Sequence, residues 1–325
     1  MGIAKDIVAE SIYTALPQLS LQEIDELLEV PPNQDLGDYS FPCFTLAKKL
    51  KKSPVLIASD LAEKMPENKL FEKIDVVNGF VNFSLNKGYL ASKLLPKIIS
   101  EHKEYGKSAE GAGKTVVLDF SSPNIAKPFS VAHLRSTVIG HSLARIWEHM
   151  GYKAERVNHL GDWGTQFGKV IVAYKKWGDE PSEHSKGSIR HLLELYVRFH
   201  KEAEDQPDLD DEARLWFKKL EDGDKEAYSL WQQFRKTSLD NLREVYELMG
   251  VGFDHYTGES FYNDLMPKAI EKLEPFMEVS EGADIVSLGE DMPPFLVRKS
   301  DGATLYGTRD LTAAIYRFET FNFAK

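Results

Sequence analysis

The stretch Asp119–Ser136, DFSSPNIAKPFSVAHLRS, gathers side chains suited to phosphate chemistry. Ser130 stands where a helix cap belongs, its oxygen placed to accept N–H groups of the first turn. His133 is then the third helical residue, where unpaired N–H groups and the positive end of the helix dipole favour an anion. An imidazole there can donate to a phosphate oxygen, and Lys127 in the preceding loop adds a mobile point charge. Taken alone, His133 also fits an ordinary surface first turn. A second stretch, HLGDWGTQFG at His159–Gly168, reads as a strand-to-helix loop in which Gly161 and Gly164 supply positive φ. Asp162, Trp163 and Gln166 are candidate pocket walls there, without a chemical step. A third, SDGATLYGTRDLTAAIYR at Ser300–Arg317, offers Tyr306 as a strand residue and Asp310 as the cap of a helix starting at Leu311.

These residues need elements to hold them. Thr115–Phe120 is nearly continuously apolar, as in a strand covered on both faces. Ser121-Ser122-Pro123-Asn124 stops it. Residues 131–150 then follow a helical pattern, with Val131, Leu134, Val138, Leu143, Ile146, Trp147 and Met150 as its apolar positions and Gly151 as its stop. Ala154–Leu160 reads as the next strand. Strand, helix, strand predicts a βαβ unit with parallel pairing, and ligands in such sheets sit beyond the carboxyl ends of the strands.

Residues 170–250 predict acidic helices, whose aromatic stripes through Trp216, Trp231, Phe234 and Tyr246 read as helix–helix core. Strand-like runs follow at Asp284–Leu288 and Phe295–Arg298, then a turn at Ser300-Asp301-Gly302 before Thr304–Tyr306. Upstream, residues 1–108 read as a small α+β unit. It has helices over 3–15, 21–29, 42–51, from Pro54 and over 89–102. A hairpin is predicted at Asn78-Gly79 between Phe71–Val77 and Phe80–Leu85. Gly106 to Gly113 forms a small-residue linker.

Composition narrows the class. Of 325 residues, 42% are hydrophobic and 28% charged, a balance that excludes global disorder. The single cysteine, Cys43, excludes an intramolecular disulfide framework and a multi-cysteine metal site. No apolar run approaches the roughly 20 residues that span a membrane. The first residues lack the pattern of a signal or transit peptide, so a cytoplasmic protein is expected. With 40 basic and 51 acidic residues the net charge is −11, so any nucleic-acid contact must use a local patch.

The run SSPNIAKPF-SVAHLRSTVIG, followed by HLGDWGTQFG, resembles arginyl-tRNA synthetases, which are class I enzymes. The likeness continues through Gly258-Glu259-Ser260-Phe261-Tyr262 and Ser300–Arg317. GDYSFPCFTLAKKL and VVNGFVNFSL extend it to that family's additional N-terminal domain. The resemblance implies an α/β fold. A Rossmann-like parallel-sheet catalytic domain at 109–325, incomplete at its C-terminal end and with a helical insertion at about 170–250, follows an α+β domain at 1–108 that contacts tRNA. In the family's phosphate loop a histidine and a glycine stand where Ser130 and Ala132 stand here. Glycine lets the adenine ring approach the backbone.

By the same resemblance, Asp119, Tyr306 and Asp310 surround the arginine side chain, and Ser122, Asn124 and His133 lie near its α-amino and carboxylate groups. His133 and Lys127 are the expected catalytic contributors, and Lys127, Ser130, Ala132 and His133 the expected ATP-binding residues. The implied activity is arginine--tRNA ligase, with L-arginine, ATP and tRNA(Arg) as partners and Mg²⁺ accompanying ATP. No permanently bound metal and a monomer are expected. The resemblance further implies a later catalytic strand, a signature loop and an anticodon-reading domain after Lys325, so the 325-residue chain is expected to be a fragment without full activity. Two other classes stay open: a related nucleotidyl-transfer enzyme and a non-catalytic tRNA-binding module.

Overall fold

The computed structural model describes residues 3–289, 291–300, 302 and 304–325. The chain forms two compact units, Met1–Tyr105 and Gly106–Lys325. In the first, helices α1 (Ile3–Ala15) and α2 (Leu21–Leu27) precede strand β1 (Tyr39–Pro42). Helices α3 (Ala47–Leu50) and α4 (Pro54–Lys64), strands β2 (Phe71–Val77) and β3 (Phe80–Leu85), and helix α5 (Lys87–Glu101) follow. The antiparallel sheet has the order β1-β3-β2. Asn78 and Gly79, at φ 48° and 86°, make the two-residue turn between β2 and β3.

Strand β1, unexpected from the sequence, meets the helix expected over 42–51 only at Pro42; that helix forms as a 3-10 turn at Phe44–Leu46 running into α3. Tyr39 to Pro42 pair with Phe83 to Phe80, and this register buries Phe41 beside Val81 and Phe83.

The second unit opens with β4 (Thr115–Asp119), α6 (Val131–His149) and β5 (Lys153–Val157). β4 and β5 pair in parallel from Thr115↔Lys153 to Asp119↔Val157, so the expected βαβ unit forms, with β5 ending before Leu160. Helix α6 packs differently from its expected stripe. Its buried face consists of Thr137, Gly140 and Ala144, while Val131, Val138 and Ile146 are exposed. Small residues let the helix lie close: a side-chain carbon on Gly140 would collide with the Phe120 ring. The helix stops with Gly151 at φ 87°.

Helices α7 (Thr165–Trp177), α8 (Ile189–Asp205), α9 (Asp208–Glu221) and α10 (Lys225–Met249) form the helical segment. Their stripes, including Leu192, Phe199, Trp216, Trp231, Phe234 and Tyr246, make one core with Phe167 and Leu160. Helix α11 (Met266–Leu273) precedes a meander of β6 (Met277–Ser280), β7 (Ala283–Val286) and β8 (Phe295–Arg298), in that order. The sequence reading missed β6, whose turn Glu281-Gly282 has φ 50° and 80°. Asp301, in the expected turn at 300–302, lies outside the described residues. Helix α12 (Tyr306–Phe321) completes the unit.

Tyr306 therefore begins a helix rather than lying in a strand, and Asp310 sits in its second turn rather than at its cap. Packing sets this start. Thr308 is buried and its hydroxyl donates to the Val297 carbonyl of β8 (2.7 Å). Among the described residues no helix is long and apolar enough to cross a membrane.

Candidate active site

Asp119 is the last residue of β4, which has a backbone partner along each edge. On one edge β4 pairs with β5, whose outer edge meets His255 through a parallel bridge to Val157. On the opposite edge, Ala324 N–H donates to the Thr115 carbonyl (2.8 Å) and Val117 N–H to the Lys325 carbonyl (3.0 Å). Ligands in parallel sheets bind beyond the carboxyl ends of the strands, which is where Asp119 stands.

The loop after Asp119 is strained. Ser121, Ser122 and Ala126 have φ of 71°, 46° and 61°, left-handed values that cost non-glycine residues on the order of 1–3 kcal/mol each. Helix α10 braces it. Tyr246 Oη lies 2.7 Å from Ser121 Oγ and accepts from Asn158 Nδ2 at 3.0 Å. Ser238 Oγ accepts the Ala126 N–H at 2.9 Å, and Thr137 Oγ1 of α6 reaches Ser121 Oγ at 2.8 Å. The neighbouring loop is laced in by Ile125 N–H to the Gly161 carbonyl and Gly161 N–H to the Pro123 carbonyl, both 3.1 Å.

Gly161 lacks the positive φ expected of it, whereas Gly164 has φ 130°. Its glycine is required by space, since a side-chain carbon would land on Asn124 Oδ1.

Ser130 is the N-cap residue of α6, and its backbone finds an unexpected partner. Its N–H donates to His133 Nδ1 (3.1 Å), a capping box with histidine in the usual acidic position. Burial also pushes the His133 pKa below its ordinary value. With Nδ1 accepting, the neutral ring carries its proton on Nε2. The exposed Ala132 lies beside it in the first turn. Lys127 rests its ammonium 4.9 Å from the centre of the Tyr196 ring of α8.

On the other side, Asp119 is held at both oxygens. Ser122 Oγ donates to Oδ1 (2.7 Å) and Arg317 Nη1 of α12 pairs with Oδ2 (2.9 Å). Arg317 Nη2 approaches His159 Nδ1 at 3.2 Å, and His159 Nε2 faces Asp310 Oδ1 at 3.9 Å. Tyr306 lies one turn before Asp310 on α12. Burial raises the pKa of both, and Asp310 adds its charge to the shift of Tyr306. For Asp310 the nearby Asp119 also raises the pKa, while His159 and the arginines oppose it.

The structure thus joins Asp119, Ser122 and Asp310, with Tyr306 alongside, through two residues to which the sequence reading gave no role: His159 and Arg317. A signal for Arg317 existed, since it lies seven residues after Asp310 and so shares its helix face. Asn124 bridges to Gly161 and His133 presents its carbonyl to Thr137 Oγ1 (2.7 Å), contacts that lie outside this cluster.

Asp162 is not a pocket wall. It is fully buried, accepting from Ser260 N–H (2.8 Å), Ser260 Oγ (2.9 Å) and Arg235 Nε (2.8 Å). Its carbonyl takes the Trp231 indole N–H at 2.8 Å. A carboxylate so placed is a structural tie between the 159–164 loop, α10 and the 258–260 segment. Trp163 packs edge-on against Phe217 and Trp231 in the helical core, and Gln166 is half-buried. Among the described residues no cluster of three or more His, Cys, Asp or Glu is arranged to hold a metal.

Comparison with known proteins adds the family context. Residues 94–325 match the family described as tRNA synthetases class I (R), catalytic domain, and residues 3–85 match the arginyl tRNA synthetase N terminal domain. The chain is 51% identical over 328 residues to an arginine--tRNA ligase of Alkaliphilus metalliredigens, covering 100% of this chain and 58% of that relative. It is 52% identical over 324 residues to the arginine--tRNA ligase of Clostridioides difficile, covering 99% and 57%. It therefore spans little more than half the length of these relatives. A solved arginyl-tRNA synthetase of Plasmodium falciparum superposes with a TM-score of 0.68 at 26% identity, covering 98% of this chain and 57% of that one. The Thermus thermophilus enzyme, at 23% identity and TM-score 0.67 over 98% of this chain and 53% of that one, is a likeness of fold.

Proposed function

Because the chain belongs to the class I (R) tRNA synthetase family, we propose that it serves as an arginine--tRNA ligase. The observation that carries the reading is that Arg317 bonds both Asp119 and His159, and Asp310 stands 3.9 Å from the His159 ring, so two carboxylates gather beyond the carboxyl end of β4. A guanidinium presents a planar fork of donors, and two carboxylates on separate elements suit it. A polar site of this kind rejects ligands that leave its acceptors unpaired by roughly 10⁴–10⁵.

In this reading Asp119, Tyr306 and Asp310 surround the arginine side chain, while Ser122, Asn124 and His133 lie near its α-amino and carboxylate groups. ATP enters as its Mg²⁺ complex along the first turn of α6, against Lys127, Ser130, Ala132 and His133. The arginine carboxylate attacks the α-phosphate and pyrophosphate leaves. A terminal ribose hydroxyl of tRNA(Arg) then attacks the arginyl-adenylate carbonyl and AMP leaves. Neither step needs a protein nucleophile, so catalysis is positioning and charge neutralisation. Neutral His133, with its proton on Nε2, can donate to an α-phosphate oxygen. Lys127 can leave the Tyr196 face for the phosphates. The N-terminal unit would contact the tRNA, and the protein would act as a cytoplasmic monomer.

Stable sulfamoyl analogues of aminoacyl-adenylates test both halves of the site together. Arginyl-sulfamoyl-adenosine should bind in competition with ATP and much more tightly than its lysyl counterpart. Equal binding of the two, or none of the arginyl compound, would contradict the reading.

A further inference from the structure

His159 has a polar atom for which the cluster offers no partner. Nδ1 faces Arg317 Nη2 at 3.2 Å, and a guanidinium only donates, so Nδ1 accepts and the ring proton resides on Nε2. That Nε2 is buried and makes no hydrogen bond. It faces Asp310 Oδ1 at 3.9 Å, on the order of 1 Å beyond hydrogen-bond range. A buried donor left unpaired is costly, so any movement that brings Asp310 nearer is favoured.

The ring itself cannot swing to find another acceptor. It stacks on the fully buried Tyr262 at 5.5 Å and 29°, and its loop is fixed by the Asp162 ties. Asp310 is the freer group, with a carboxylate 44% exposed. One partner is rigid and the other has room to move.

Charge favours the same movement. The groups facing His159 are Asp119 from β4, Asp162 from its own loop, and Asp310 and Arg317 from α12. Asp162 is neutralised by Arg235. With His159 neutral, Asp119, Asp310 and Arg317 leave one net negative charge, which matches one monocation. Protonating His159 would cancel it.

We infer that His159 is a positioning residue for Asp310: its Nε2–H captures the Asp310 carboxylate when a guanidinium enters and fixes it in the orientation that reads the ligand. The inference rests on the arginine reading of this pocket. Arg317 acts one step behind, tying His159 to Asp119 so that both carboxylates are set together.

Calorimetric titration of the 325-residue chain with L-arginine, and separately with ATP, tests this. His159→Ala should weaken arginine about tenfold or more, the scale of a hydrogen bond to a charged group, and leave the ATP dissociation constant unchanged. His159→Gln, whose amide can put a donor near the place of Nε2, should recover most of the loss. Arginine affinity equal to wild type in His159→Ala would overturn the inference. So would equal losses for arginine and ATP, or failure of a folded His159→Gln to recover, since these mark a structural role. A wild-type chain that binds ATP but not arginine would instead overturn the arginine reading, and the inference with it.

Discussion

Lys127 and Asp119 lie on either side of one strained loop, and their charges are held in different ways. The Lys127 ammonium lies over the Tyr196 ring, a contact worth about 0.5–1 kcal/mol at an exposed site. Asp119 is bonded at both oxygens, to Ser122 and to Arg317, and stands in a network that reaches Asp310. In the proposed function, the difference follows from what each side would recognise. Phosphates change position and charge during a transfer, so a long side chain that gives up a weak contact suits them. A guanidinium does not change, so Asp119 is best fixed beforehand, while Asp310 is set as the ligand enters. The loop itself belongs to the fixed side, because α10 holds its left-handed residues through Tyr246 and Ser238.

Breaking the tie beneath both sides should have the largest effect. Asp162→Ala leaves Arg235 facing a void and frees the 258–260 segment. A loss of about 3–5 kcal/mol is expected in chemical denaturation, as for removing one partner of a buried pair. Next comes the chemistry: in the intact enzyme His133→Ala should raise the activation barrier by roughly 2.7–4 kcal/mol in single-turnover adenylate formation and affect arginine binding less. Asp310→Asn keeps shape and removes charge. It should weaken arginine by about 2–5 kcal/mol in calorimetry, toward the lower figure because the carboxylate is half exposed, and erase arginine's advantage over neutral citrulline.

Lys127→Ala sharpens the contrast from the mobile side. An effect of about 1 kcal/mol on ATP binding is expected, fading as salt rises, with arginine binding untouched. The smallest effect is in acid. The pKa of folded His159 lies below its ordinary 6.5, mainly through burial and also through Arg317. The unfolded chain therefore takes up a proton that the folded chain resists, and stability falls as pH drops from about 6.5 through the depressed value. His133, His141 and His200 shift in the same direction. Thermal unfolding of His159→Gln should thus retain part of the acid loss, with a shallower slope than wild type.

The two sides also differed in how far the sequence disclosed them. The phosphate side is local: cap, third helical residue and loop lysine fall within seven residues, Lys127 to His133, so spacing alone suggests their roles. The arginine side is assembled from β4, the loop after β5 and α12, and no local pattern reports such a meeting. Tyr306 illustrates the cost, since its apolar neighbours fit a strand until Thr308 and Val297 set the helix start. Asp162 failed for a related reason. Glycine-flanked acids often line pockets, and only its three hydrogen bonds from two distant residues, Arg235 and Ser260, reveal a structural tie. Apolar periodicity misled on α6 as well, because the packed face is made of small residues.

The most direct measurement is the binding of L-arginine against L-citrulline to the unmodified chain, by calorimetry at neutral pH. Citrulline matches arginine in shape but carries no charge and offers an oxygen where arginine offers a donor. If Asp119 and Asp310 read a guanidinium, arginine binds saturably and citrulline at least about a hundredfold more weakly, two steps of roughly 1.4 kcal/mol. Equal affinities for the two would mean that these carboxylates do not face the ligand side chain.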